Sequence, residues 1–189
     1  METLEKDQVK SVVTIYKVNT NKSIVNWHGK KVLGQHNGTV KISDGNIFTE
    51  NGKITGGNVK VDISTLESLD LAGDLKTKAM LEGHLKSDDF FNAEKYPEIT
   101  FKINSVENVI NGETNKIVKG EMTIREITRA VSFPAKVINE NNMITADIDA
   151  DIDRTDYDLK YGSGKFFAGL GDNLISDKFN IKIHILAQL

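Results

Sequence analysis

The stretch Ser68–Phe91, SLDLAGDLKTKAMLEGHLKSDDFF, interrupts a chain that otherwise alternates apolar and polar residues. Leu71, Leu75 and Ala79 lie four apart, as do Leu81 and Leu85, which is the spacing of a helix face. Asp74 is a suitable N-cap, with Lys76 and Lys78 expected to face water and Leu75, Ala79 and Leu85 to pack downward. Ser87 is placed to cap a further short turn that presents Phe90 and Phe91 together. Tyr96-Pro97 returns the chain to extended structure, because a residue before proline is pushed out of the helical region. A single helical segment, about 74–91, must cover a sheet face or lie across an opening.

Working outward, the flanks have period two. Val59, Val61 and Ile63 oppose Lys60 and Asp62, and Ile99, Phe101 and Ile103 oppose Thr100 and Lys102. Val118, Met122 and Ile124, then Val131, Phe133, Ala135 and Val137, continue the pattern. Turn signals recur at Asn19-Thr20-Asn21, Gly34, Asp44-Gly45-Asn46, Asn51-Gly52, Asn111-Gly112 and Asn139–Asn142. The expectation is a mainly β fold of eight or more antiparallel strands. Closure into a barrel would remove exposed edges. A barrel of eight strands either packs solid or holds one small ligand. Small inward residues at Gly120 and Ala135 would either leave room for a guest or fit the taper of a filled barrel.

The 189 residues suit one domain, placed at 12–189, behind a polar segment 1–11 expected to be flexible. There is no cysteine, which excludes disulfides, thiol catalysis and zinc-thiolate sites. The net charge is −3 with both signs interspersed and no basic stripe, so neither nucleic acid nor an anionic membrane surface is an expected partner. No apolar run has the length of a transmembrane span and no signal peptide is visible.

The motifs that suggest chemistry fail on spacing. In Asp147–Asp153, DIDADID, the sixth position is Ile152 where a calcium loop needs glycine, so the acids read as a solvent face. Gly162-Ser163-Gly164-Lys165 lacks the spacing of a phosphate loop. His28, His36, His84 and His184 show no metal-ligand spacing, and no metal site or catalytic constellation is expected. His28 and His36 flank a turn and could approach each other. Arg154 continues the inward phase of Ile148, Ala150 and Ile152, so it faces an anionic group inside or sits at the rim beside Asp156 or Asp158.

Several segments together resemble the YceI-like family of lipid-binding proteins. They are Trp27–Lys31, Leu81–Phe91, Tyr96–Phe101, Gly120–Arg125, Val131–Pro134, Ile152–Thr155 and Ile175–Phe179. The resemblance runs from about Tyr16 to the C-terminus, with Leu81–Phe101 its most specific part. It implies a single extended, eight-stranded, lipocalin-like antiparallel barrel covered by the helical segment. It implies non-enzymatic binding, carriage or storage of an isoprenoid quinone, polyprenyl lipid or similar amphiphile, with no other cofactor. It also implies a periplasmic or secreted location and a possible homodimer, although the missing leader leaves a cytoplasmic location open. By alternation the interior holds Trp27, Val40, Val61, Phe101, Met122, Ile124, Phe133, Ile148, Ile152 and Ile183. Phe90 and Phe91 are expected at the helix end and Phe166 and Phe167 at another loop of the cavity, with His36 and Arg154 as polar head-group contacts. The competing readings are an enzyme acting on such a lipid through His28, His36 or Arg154, and a ligand-free interaction barrel.

Overall fold

A computed structural model of the chain describes residues 11–189. The expectation of flexibility for the N-terminal segment therefore falls, Ser11 apart, outside the described residues. The strands are β1 (Val13–Val18), β2 (Ile24–Lys31), β3 (Gly34–Glu50), β4 (Lys53–Ser68), β5 (Glu98–Asn111), β6 (Thr114–Ile124), β7 (Ile127–Glu140), β8 (Met143–Asp153) and β9 (Lys178–Gln188). One helix, α1 (Leu75–Lys86), separates β4 from β5. All pairings are antiparallel, and β2 to β9 close in sequence order with β9 returning to β2. The result is an eight-stranded barrel.

The short β1 adds no ninth stave. It pairs with Asn46–Glu50 of β3 and with Ala187 and Gln188 of β9, while β2 pairs with Gly34–Val40 and Asn180–His184 of the same two strands. β1 and β2 thus form one stave with a joint at residues 19–23. Asp44-Gly45-Asn46, expected to be a turn, lies within β3. A register shift falls between Ile42 and Asp44, where β3 passes from β2 to β1. Burial moves with it, from Val40 and Ile42 to Gly45, Ile47 and Thr49. One inserted residue reverses which side chains point inward, which is what a β-bulge does.

Three hairpin turns lie at one end, at residues 51–52, 112–113 and 141–142. Asn51 and Gly52 have φ of 49° and 78°, and Asn141 and Asn142 have 52° and 59°. Positive φ at both central residues is the turn that matches strand twist, and Asn and Gly tolerate it best. At the other end lie the β2–β3 and β6–β7 turns, α1 and the long β8–β9 connection, 154–177. The β7–β8 ladder stops towards that end at Ala135 and Ile148. Pro134, the next residue of β7, has no N–H to donate.

α1 begins as its sequence predicts. The Asp74 carboxylate accepts from the Thr77 amide at 3.0 Å and from its hydroxyl at 2.7 Å. Ser87 ends α1 itself, its hydroxyl donating to the His84 carbonyl at 2.7 Å. The inward face differs from the one expected. Leu75 is 75% exposed and Ala79 is exposed, while Leu85 packs against the core. Lys78 does not face open water, because it reaches Glu67 at 2.6 Å and Glu82 at 3.8 Å. Glu82 also accepts from the Ser68 amide at 2.8 Å. Polar ties as well as apolar burial fix α1 to β4, which a hydrophobic-spacing argument does not capture.

Candidate functional site: an apolar cavity under the helix

The barrel encloses a cavity of about 440 Å³, within the range of small-molecule sites. Its walls are the inward side chains of the strands. Trp27, Val40, Val61, Phe101, Met122, Ile124, Phe133, Ile148, Ile152 and Ile183 all line it, and so do Phe90 and Phe91 at the helix end. His36 and Arg154 line it too. Phe166 and Phe167 do not. They stand on the surface, 48% and 50% exposed, because their amides both bond to the Ser163 carbonyl in a turn that projects outward.

The lining also includes Leu81, His84 and Leu85 of α1, and Leu159, Tyr161 and Ile175 of the β8–β9 connection. Leu81 and Leu85 carried a legible signal in their spacing. Tyr161 and Ile175 carried none, since an irregular connection has no period. Gly120 leaves no room for a guest at its own position. A Cβ there would lie 2.7 Å from the Phe101 ring and 2.2 Å from the Lys102 carbonyl oxygen. The Phe101 ring crosses β6 over this glycine and meets Phe133 at 5.6 Å between centroids.

The cavity's polar groups gather at the helix end. His36 Nδ1 lies 2.8 Å from Asp70, which also accepts from the Asn37 amide and the Ser68 hydroxyl, both at 2.9 Å. Burial raises the Asp70 pKa, but these partners outweigh it and hold the carboxyl below its usual range. His84 packs edge-on against Phe90 and Tyr161, at 5.2 and 4.6 Å, and meets Asp89 at 3.0 Å.

Arg154 is buried at 4% exposure, not at the rim. Its Nε donates to the Ser176 carbonyl at 2.9 Å, Nη1 to Leu159 at 2.5 Å and Nη2 to Ile175 at 3.1 Å. Its acidic neighbour is Asp177 at 3.8 Å, rather than Asp156 or Asp158. Burial pushes the pKa of the guanidinium down, with Asp177 and Asp153 opposing. Arg154 therefore clamps the two ends of the connection together over the cavity. Arg154→Met should lower stability by about 2 kcal/mol, because three carbonyls, that of Leu159 buried and those of Ile175 and Ser176 partly so, lose a charged donor. Arg154→Lys should recover little, since an ammonium cannot span three carbonyls in one plane. Thermal unfolding checks both, and an unchanged midpoint for Arg154→Met would show that the clamp carries no load.

Of the three residues of the enzyme reading, His28 does not share the cavity with His36 and Arg154. His28 is on the outer face, bonded to Gln35 at 3.0 Å, whereas His36 faces inward to Asp70. Among the described residues no group of three potential metal ligands is assembled. The acids of Asp147–Asp153 point outward to His184, Lys182, Asn180 and Lys165. Trp27 Nε1 is buried without a partner, and its indole lies against Gly38. Chemically, the arrangement can solvate a long apolar molecule and meet a polar group at one end.

Among the described residues no helix is long and apolar enough to cross a membrane. A UPF0312 protein of Pseudomonas putida (strain W619) is 32% identical over 98 residues, covering 52% of this chain and 47% of that protein. Protein YceI of Escherichia coli O157:H7 is 32% identical over 105 residues, covering 56% and 50%. The matched stretch spans about half the length of these curated relatives. Among solved structures, Burkholderia cenocepacia BcnA has a TM-score of 0.70 at 22% identity, covering 90% of this chain and 99% of that one. A polyisoprenoid binding domain from Saccharophagus degradans has a TM-score of 0.63 at 12% identity, covering 92% and 97%. At such identities the likeness is one of fold. Residues 16–187, which take in β2 to β8 whole and nearly all of β9, match the family model of the YceI-like domain, and the chain belongs to that family.

Proposed function

We propose that this protein binds, carries or stores one long-chain apolar ligand, an isoprenoid quinone, polyprenyl lipid or similar amphiphile, without transforming it. The observation that carries this reading is the lining: inward side chains from every stave are apolar, and the polar ones lie at one end. Each 100 Å² or so of ligand surface taken out of water contributes about 2.5 kcal/mol before ordering costs. The polyisoprenoid binding domain among the solved neighbours supports the class of ligand and a binding role. The same reading puts the protein in the periplasm and admits a homodimer, which cell fractionation and light scattering would decide.

Native mass spectrometry of protein purified without added lipid, followed by organic extraction, tests the proposal. The expected result is a mass increment of one amphiphile that fragments as a prenyl chain. A bare mass that stays bare after incubation with a long-chain quinone and with a polyprenyl phosphate would refute it.

A further inference from the structure

The surface around the cavity mouth is apolar where a soluble protein has reason to be polar. Val32 and Leu33, in the β2–β3 turn, are 54% and 70% exposed. Phe166 and Phe167 are half exposed, and Tyr161 and Leu174 are also exposed. These six residues come from two connections that are tied to each other. The Val32 amide bonds the Leu174 carbonyl at 3.1 Å, and Lys31 bridges to Ile175. The Leu174 side chain lies against Gly164, two residues before Phe166, where a Cβ would come within 2.8 Å of it. The backbone of the β8–β9 connection is held by buried Ser163 and by the Arg154 clamp. Lys31, Asn173, Ile175 and Tyr161 also line the cavity, so the patch is continuous with the cavity's own lining.

Resting on the function proposed above, we infer that this rim docks on a phospholipid bilayer and that ligand passes there between the acyl layer and the cavity. Geometry and charge select a bilayer over a protein. The cavity's lining runs into the patch through Lys31, Tyr161, Asn173 and Ile175, so a protein sealing the patch would also cover that side of the cavity. A ligand leaving an acyl layer through this rim avoids exposing its chain to water. Lys30 and Lys31, beside Val32, have no acidic partner among the described residues and fit anionic head groups, against Asp172 in the same lining; this local pair corrects the expectation, drawn from net charge alone, that an anionic membrane surface is no partner. Lys160, ion-paired with Asp158, lies over the Phe166 ring at 4.9 Å, a cation beside an exposed aromatic as at a membrane interface. Exposed apolar residues at the opposite end, such as Ile110, adjoin turns that do not line the cavity.

Co-flotation of the purified protein with phosphatidylcholine vesicles, with and without phosphatidylglycerol, tests this. Wild type should float, more so with phosphatidylglycerol. Lys30→Ala and Lys31→Ala should each weaken the anionic-vesicle binding about fivefold. The triple variant Leu33→Ser, Phe166→Ser, Phe167→Ser should lose about tenfold or more in binding to both vesicles, because exposed side chains that entered the interface no longer do. Its bound amphiphile, read by native mass spectrometry, should be unchanged. Absence of vesicle binding by wild type, or equal flotation of the triple variant, overturns the inference, as does light scattering that shows a second copy covering the patch. Vesicle binding by a protein that never holds a ligand would instead sink the carrier reading and leave the docking surface standing.

Discussion

Gly38→Ala should destabilise the barrel by about 3 kcal/mol and lower its melting temperature by roughly 10 °C. A Cβ at position 38 would lie 1.8 Å from the Glu67 carbonyl oxygen and 2.8 Å from Cζ2 of Trp27. The first neighbour is backbone, so no rotamer change relieves the clash, and β3 and β4 must part where Gly38 pairs with Ser68. The second neighbour is the indole that lies across β3 and lines the cavity. Gly29→Ala is the matched control at the same barrel end, because nothing lies within 4 Å of its Cβ position. Its effect should stay within about 0.5 kcal/mol. Urea unfolding of the two variants separates them, and equal midpoints would disprove the packing argument.

The second large effect is on ligand retention. Ala146 faces Val137 across the β7–β8 ladder, and both line the cavity together with Val118. The double variant Ala146→Phe, Val118→Phe puts two rings into the space a ligand chain needs. A loss of about 110 Å² of ligand burial corresponds to about 2.8 kcal/mol, or a hundredfold in affinity. Cavity filling commonly stabilises a fold by about 0.5–2 kcal/mol, so the melting temperature should hold or rise. The opposite signs make the result diagnostic. Undiminished lipid content in the double variant would mean that the cavity is not where the ligand sits.

Much of this arrangement was legible in the sequence, for a physical reason. A strand with one wet and one dry face must alternate, so Val61, Phe101, Met122 and Ile183 could be placed inside by parity alone. The cap of α1 was legible because Asp74 and Thr77 act locally. Parity fails where a bulge resets it, and Asp44-Gly45-Asn46 has the composition of a turn although β3 runs through it. The packing face of α1 was misjudged because Lys78 and Glu82 face the barrel through polar ties, leaving Leu75 outside. Arg154 followed inward parity correctly, but its partners are carbonyls of Leu159, Ile175 and Ser176, and backbone partners leave no trace in residue types. Phe166 and Phe167 were drawn inward by hydrophobicity, which says nothing about direction in a connection without a period.

The shared stave of β1 and β2 bears on how the protein comes into being. Its seams are Lys17 with Gln188 and Ile24 with His184, pairings between the first strands and the last. Contacts so remote in sequence are slow to form, because the entropy of closing the loop comes before any gain from pairing. A ribosome that has made β2 to β8 has made an open, curved sheet with two edges. The closed chamber exists only after the last strand has been synthesised and zipped, so no guest can be enclosed on a growing chain.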